Sequence, residues 1–280
     1  MAALLAMPRA AGLFGRAVAQ SVQGTFFSPE LASDIAAACA AELGRKPTVA
    51  GLSTVAPARL STAGDAVGAA MGRRAERWGQ AAHTSIPFSP VVDGDALPVT
   101  PWRALADGAG RDVELLVGHT RDEQRLLTAL DGLRGQVTPQ QAASALDVFG
   151  PARTAHAVTR AAGGRAHVYE LTWPAPGMGG VLGACRGLDV PLVLGNLDGG
   201  QPALLIGDGP SPEAEALSAR MRAAWTAFAA HGDPGWPAYD SGRRLVQVFD
   251  ARAAVTAYPE ETSRLIWRNH TIPVLPLTGR

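Results

Sequence analysis

The sequence predicts an α/β fold in which a mostly parallel sheet is flanked by helices. Short apolar runs typical of strands alternate with helical patterns along the chain, which favours a parallel sheet covered on both sides. One run, Val113–Val117, is almost continuously apolar and fits a strand that is buried on both faces. The chain has 280 residues, 47% of them hydrophobic and 18% charged, and this composition favours an ordered globular protein over a disordered one. We expect four or five strands.

The first elements follow from local signals. Residues 2–15 are expected to form a short broken helix followed by a turn, and Arg16–Val22 is a short apolar run that fits a strand. Pro29–Leu43 has the features of a helix, because proline stands at its start and Gly44 follows at the expected C-cap.

The next segment is mixed and rich in alanine. Residues 45–80 are expected to form helical pieces joined at residues such as Pro57 and Gly64. Pro87–Pro101 is rich in turn formers, and the apolar pair Val91-Val92 predicts one short strand inside it.

Strands and helices continue to alternate in the second half. The strand Val113–Val117 is expected to end at Gly118, before a polar segment that begins at His119. Pro139–Ala162 predicts two short helices, and Ala166–Trp173 alternates as a strand does.

The last third contains the strongest helix signal. Pro212–His231 has an apolar face at spacings of four, four and three residues, made of Leu217, Met221, Trp225 and Phe228. Pro191–Leu194 is a short apolar run before it. Trp236–Phe249 contains an Asp-Ser-Gly turn and predicts a hairpin.

Composition excludes several classes of function. Lys plus Arg and Asp plus Glu number 25 each, so the basic excess of a nucleic-acid-binding or anionic-membrane-binding protein is missing. No apolar run reaches the roughly 18 residues of a membrane span. The two cysteines, Cys39 and Cys185, have neither disulfide-scaffold nor metal-ligand spacing, so we expect reduced thiols, no metal and no cofactor. The N-terminus lacks a credible signal peptide, so a cytoplasmic location is the default expectation.

Three segments in order resemble the type-B carboxylesterases, the family of bacterial esterases and cholinesterases. The first is MAALLAMPRAAGLFGRAVAQSV, which is similar to the helix after the family's nucleophile elbow and the strand that follows. The second is PFSPVVDGDALPVTPWRAL followed by LLVGHTRDEQRLL, and the third is VLGACRGLDVPLVLGN. The late helix with Gly232-Asp233 also fits the family pattern W-x-x-F-A-x-x-G-x-P.

The resemblance implies a partial α/β-hydrolase fold. Residues 1–280 would be the C-terminal portion of one such domain, without the N-terminal half of its sheet. The family's serine lies in a G-x-S-x-G turn, and this sequence contains no such motif. The His-Gly-Gly type loop that supplies oxyanion-hole amides is also missing. We therefore expect the chain to begin just after the nucleophile elbow.

The resemblance also assigns two site residues. Glu123 falls at the position of the family's catalytic acid, and Arg186 falls where active members have histidine. A guanidinium stays protonated and offers no lone pair, so arginine cannot act as the base of a triad. We expect Arg186 to form an ion pair with Glu123 instead, because the fold brings the two loops together.

The other candidates are interpreted as structural. Lone histidines are more often structural than catalytic, and those considered are His119, His156, His167, His231 and His270. Ser21, Ser28 and Ser211 lack the elbow context and are interpreted as ordinary serines, while Asp93 and Asp95 are interpreted as turn formers around Gly94.

Three functions remain open. The first is an esterase-family fragment that is inactive alone. The second is part of an active serine carboxylesterase that hydrolyses small carboxylic esters once an upstream half completes it, with Phe88, Trp173 and Leu188 in its acyl pocket. The third is a non-catalytic binding module whose exposed sheet edge accepts a partner strand.

Overall fold

The computed structural model describes most of the chain. The described residues are 1–22, 24–84, 86–123, 125, 165–198, 200–207, 209–267 and 272–279. The two helices predicted over Pro139–Ala162 lie outside these ranges.

A five-stranded sheet forms the centre of the described chain. Its strands, in spatial order, are β1 (Arg16–Gln20), β2 (Glu114–Thr120), β3 (Arg165–Leu171), β4 (Leu245–Phe249) and β5 (Ala254–Ala257). The first four strands are parallel and β5 is antiparallel to β4. This confirms the predicted mostly parallel sheet.

The described residues include ten α-helices. They are α1 (Ala2–Ala6), α2 (Pro29–Glu42), α3 (Val49–Leu52), α4 (Pro57–Ala70), α5 (Ala75–Trp78), α6 (Pro101–Ala106), α7 (Asp189–Leu194), α8 (Gly200–Ile206), α9 (Pro212–His231) and α10 (Glu261–Trp267). Helix α9 has the bounds that the sequence predicts: the hydroxyl of Ser211 accepts a hydrogen bond from the amide of Ala214, and Gly232 ends the helix with a φ of 78°.

Both faces of β2 and β3 are largely buried, which explains the continuous apolar run of β2. On one face, Leu116 and Tyr169 pack in the same core cluster as the apolar side of α9. On the other face, Leu115 and Val117 pack in a second cluster. Because successive side chains of a strand point to opposite faces, a strand between two helical layers needs apolar residues at every position.

Two boundary predictions were wrong. Strand β2 does not stop at Gly118 but continues to Thr120, because its hydrogen-bonding register with β3 extends to the pair Thr120 and Leu171. Gly64 lies inside α4, where the ring of Phe88 packs over it, and does not separate two helices.

Two further corrections concern pairing partners. Val91 forms only an isolated bridge with Phe27 and not a strand. The predicted hairpin within Trp236–Phe249 is displaced: β4 pairs in parallel with β3 and turns after Phe249 into β5. The short apolar run before Gly195 is part of helix α7. An apolar run of this length does not by itself distinguish a strand from a helix.

We expect Gly118→Ala to destabilise the protein. A Cβ at this position would overlap both the ring and the carbonyl oxygen of Tyr169, so β2 and β3 would have to separate. Overpacking of this kind costs about 1–3 kcal/mol in unfolding free energy. Urea denaturation measures the loss. Gly15→Ala is the matched control, because a Cβ there meets nothing within 4 Å; equal losses in both variants would contradict the packing argument.

Candidate functional site at the ends of the strands

The candidate site lies at the carboxyl ends of β1 and β2, the edge at which ligands usually bind in parallel α/β sheets. Ser21 follows β1 and Glu123 follows β2. The loop that contains Arg186 is fastened to the same edge. There, the amide of Asp122 donates to the carbonyl of Ala184 at 2.8 Å, and the amide of Ala184 donates to the carboxylate of Asp122 at 2.9 Å.

Glu123 is the centre of the site. Its side chain is buried. Oε1 accepts hydrogen bonds from the Ser21 hydroxyl at 2.5 Å and from the Thr120 amide at 3.1 Å. Oε2 accepts from Nη1 of Arg186 at 3.0 Å. The ion pair that the sequence predicts is therefore present, whereas the catalytic-acid and base positions of the two residues remain predictions from the resemblance.

Ser21 is a site residue that sequence reasoning missed. It is buried and has a φ of 46°, and its amide donates to the carbonyl of Gly118. Such a left-handed conformation is uncommon for serine and turns the hydroxyl towards Glu123. The available signal was its position directly after a strand, but the sequence does not report backbone angles.

The contacts of Ser21 do not resemble those of an activated nucleophile. An activated serine needs a base that takes its proton and later returns it to the leaving group. The acceptor of the Ser21 proton is a carboxylate that is already bound to Arg186 and to the Thr120 amide. The arrangement therefore orients Glu123 and does not activate the hydroxyl.

Asp189 is a second buried carboxyl group near the end of β1 and was also missed as a site residue. Its Oδ2 accepts hydrogen bonds from the Tyr169 hydroxyl at 2.8 Å and from the Gln20 amide at 3.0 Å. The indole of Trp225 donates to Oε1 of Gln20 and fixes the orientation of that amide. Burial, assisted by the charge of Glu123, raises the pKa of Asp189 above its ordinary value.

Cys185 precedes Arg186 and is the nearest thiol to the site. It is free and fully buried. Burial raises its pKa to about 11, so at neutral pH it is a thiol and not the reactive thiolate. Cys185 therefore does not replace the missing serine as a nucleophile.

The predicted structural residues have structural contacts. His119 is buried between the Tyr258 hydroxyl and the carbonyl of Thr120, and His167 contacts the carbonyl of Trp236. Burial lowers the pKa of His167. His231 is the last residue of α9, while His156 and His270 lie outside the described residues.

The turn and acyl-pocket predictions have different outcomes. The Asp93 carboxylate accepts hydrogen bonds from the amides of Asp95 and Leu97, as a turn former does. Phe88 is 62% exposed over α4, whereas Trp173 and Leu188 are buried in the core. These three residues therefore do not form one pocket wall.

An open cavity of about 630 Å³ runs along β1, which is an edge strand of the described sheet. Most of its walls are apolar, and Gln20 and Ser21 contribute polar atoms. Leu194, at its rim, is 69% exposed. The site of Glu123 thus borders an apolar opening through Ser21.

Neither a membrane-spanning helix nor a metal-ligand group is found among the described residues. None of their helices combines the length and the apolar character that crossing a membrane requires. Within the same ranges, no three His, Cys, Asp or Glu side chains are grouped so that they could bind a metal ion.

More than half of the chain matches the model of one protein family. The family model described as "Carboxylesterase family" matches residues 1–149, slightly more than half of the chain. The chain belongs to the carboxylesterase family. The matched range includes Ser21 and Glu123, while Arg186 and Asp189 lie beyond it.

Individual carboxylesterases match almost the whole chain. The para-nitrobenzyl esterase of Bacillus subtilis (strain 168) is 28% identical over 94% of the chain. The solved carboxylesterase EST55 of Geobacillus stearothermophilus superposes with a TM-score of 0.70 at 27% identity over 95% of the chain. A solved PNB esterase gives a TM-score of 0.71 at 28% identity over 94%.

The chain spans only part of the length of these relatives. The chain spans 58% of the Bacillus esterase, 61% of the solved EST55 chain and 59% of the PNB esterase. The described sheet therefore corresponds to part of the α/β-hydrolase fold of these carboxylesterases.

We expect both cysteines to resist a thiol reagent in the folded protein. Cys39 and Cys185 are buried, and burial raises the pKa of each. Reaction with 5,5′-dithiobis(2-nitrobenzoic acid) at pH 8 should release little thionitrobenzoate before denaturation and two equivalents after it. Rapid modification of native protein that is lost in Cys185→Ala would show a reactive thiol at the site.

Proposed function

We propose that this chain is a carboxylesterase-family protein that does not hydrolyse esters by itself, because Arg186 stands at the base position. The single observation that carries the proposal is the contact between Arg186 and the buried carboxylate of Glu123. In a triad, that acid would orient an imidazole. Here it binds a guanidinium, which stays charged and accepts no proton.

The sequence adds a second obstacle. It contains no G-x-S-x-G motif. Ser21, the serine beside Glu123, donates to a carboxylate and not to a histidine. Without an activated nucleophile and a base that can exchange protons, an acyl-enzyme route has no first step.

A second candidate is part of a composite enzyme. It is supported by the edge position of β1, by the cavity beside it and by the share of about 60% that the chain spans of its relatives. Completed by an upstream half, the chain would contribute Glu123 to the hydrolysis of small carboxylic esters. The names of the relatives suggest a nitrobenzyl ester as a probe. Arg186 counts against this candidate.

A third candidate is a binding module that accepts a strand at β1. The contacts of β1 with β2 involve the carbonyl of Gly15 and the amide of Ser21. Because backbone groups alternate sides along a parallel strand, those of Val18 and Gln20 point to the opposite, open edge. These two residues also line the cavity, so an added strand would have both a backbone partner and an apolar recess.

We expect no ester hydrolysis by the purified chain. Release of p-nitrophenol from p-nitrophenyl acetate, and hydrolysis of a p-nitrobenzyl ester, should equal the rates in buffer, while circular dichroism of the same sample shows helix and strand. The reason is the missing proton acceptor at position 186. Turnover that a serine-directed phosphonate abolishes would overturn the proposal.

A complementation experiment separates the first two candidates. The N-terminal portion of the Bacillus para-nitrobenzyl esterase is co-expressed with the unaltered chain or with the variant Arg186→His. If Arg186 blocks catalysis, the sample with Arg186→His should hydrolyse the ester at least about 100 times faster than the sample with the unaltered chain, as expected for a general base. Arg9→His, on an exposed arginine, is the control. Equal activity of the unaltered chain and the Arg186→His variant would favour the composite enzyme.

A further inference from the structure

Two buried carboxyl groups are bound by consecutive residues at the end of β1. Glu123 and Asp189 are 2% and 1% exposed. Consecutive residues of the chain hold them: Gln20 donates to Asp189, and Ser21 donates to Glu123. Burial is the main cause that raises the pKa of Asp189, and the charge of Glu123 raises it further.

The hydrogen bonds satisfy these groups but do not neutralise them. Tyr169 donates to Asp189 and remains protonated, because burial raises the pKa of its hydroxyl well above the ordinary value. Ser21 and the Thr120 amide donate to Glu123 as neutral groups. A buried pair of carboxylates also needs positive charge, since an uncompensated buried charge is costly.

Arg186 supplies a positive charge at this site. Its Nη1 lies 3.0 Å from Oε2 of Glu123. It precedes Asp189 by three residues, just before α7, and its charge lowers the pKa of that carboxyl group and so opposes the effect of Glu123. The arginine side chain is 23% exposed, so water solvates part of it while both carboxyl groups remain inside.

We propose that Arg186 is the shared counter-ion of Glu123 and Asp189 and that it ties the end of β1, the loop after β2 and the first turn of α7 together. Arg186 would then stabilise the fold, in addition to being unable to act as a base. A neutral side chain there would leave two buried carboxyl groups without this cation, and the site would relax by protonation or by opening.

The test is a double-mutant cycle on unfolding equilibria in urea at pH 7. Arg186→Gln removes the charge, and Asp189→Asn removes the second carboxyl group while keeping an oxygen that accepts from Tyr169 and Gln20. Arg186→Gln should raise the unfolding equilibrium constant strongly in the native background and about tenfold less in the Asp189→Asn background, a coupling within the range of directly interacting residues.

Asp95→Asn is the matched control, because Asp95 pairs with Arg9 on the exposed surface. Its effect should add to that of Arg186→Gln without coupling. Additive behaviour of Arg186→Gln with Asp189→Asn would overturn the proposal and leave Arg186 as a partner of Glu123 alone.

The design allows for a variant that does not fold. If Arg186→Gln is unfolded, the proposal requires that Glu123→Gln restores the native circular dichroism spectrum only when Asp189→Asn is also present. Recovery with Glu123→Gln alone, or no recovery in the triple variant, overturns it. Because the readout is stability, the result is independent of whether the chain hydrolyses esters.

Discussion

The buried carboxylate of Glu123 is the point on which the arrangement of the site depends. Three separate segments donate to it: the end of β1 through Ser21, the end of β2 through the Thr120 amide, and the loop before α7 through Arg186. Each segment reaches this point because parallel strands end at the same edge of the sheet. Removing one partner of a buried ion pair costs about 3–5 kcal/mol, so the contact between Arg186 and Glu123 contributes to stability.

The same geometry shows why family membership does not by itself establish activity for this chain. Glu123, the proposed acid, follows β2, and solved carboxylesterases superpose on nearly all of the chain. Fold alone does not determine function, which depends on the groups at the site. The guanidinium of Arg186 binds Glu123 but accepts no proton, so a site in which position 186 is the proposed base position lacks a base.

The sequence was a good guide to elements whose signals are local. Helix α9 has its predicted bounds because a serine cap, an N-terminal proline and a terminal glycine mark both ends. The wrong predictions concern strands whose bounds depend on the strand that they pair with. Strand β2 continues through Gly118 because Tyr169 on β3 lies against it, and the hairpin is displaced because β4 pairs with β3 before it turns. Pairing between distant segments leaves no local signal.

The residue pattern was sufficient to predict the family, the mostly parallel sheet and the contact between Glu123 and Arg186, because residue types at ordered motifs carry that information. Only the tertiary structure decided which neighbours complete the site. Ser21 takes a left-handed conformation, and Asp189 becomes a second buried carboxyl group near the end of β1. The physical reason is that burial and backbone angles are set by packing between segments far apart in the chain, and these in turn set the charge balance of the site.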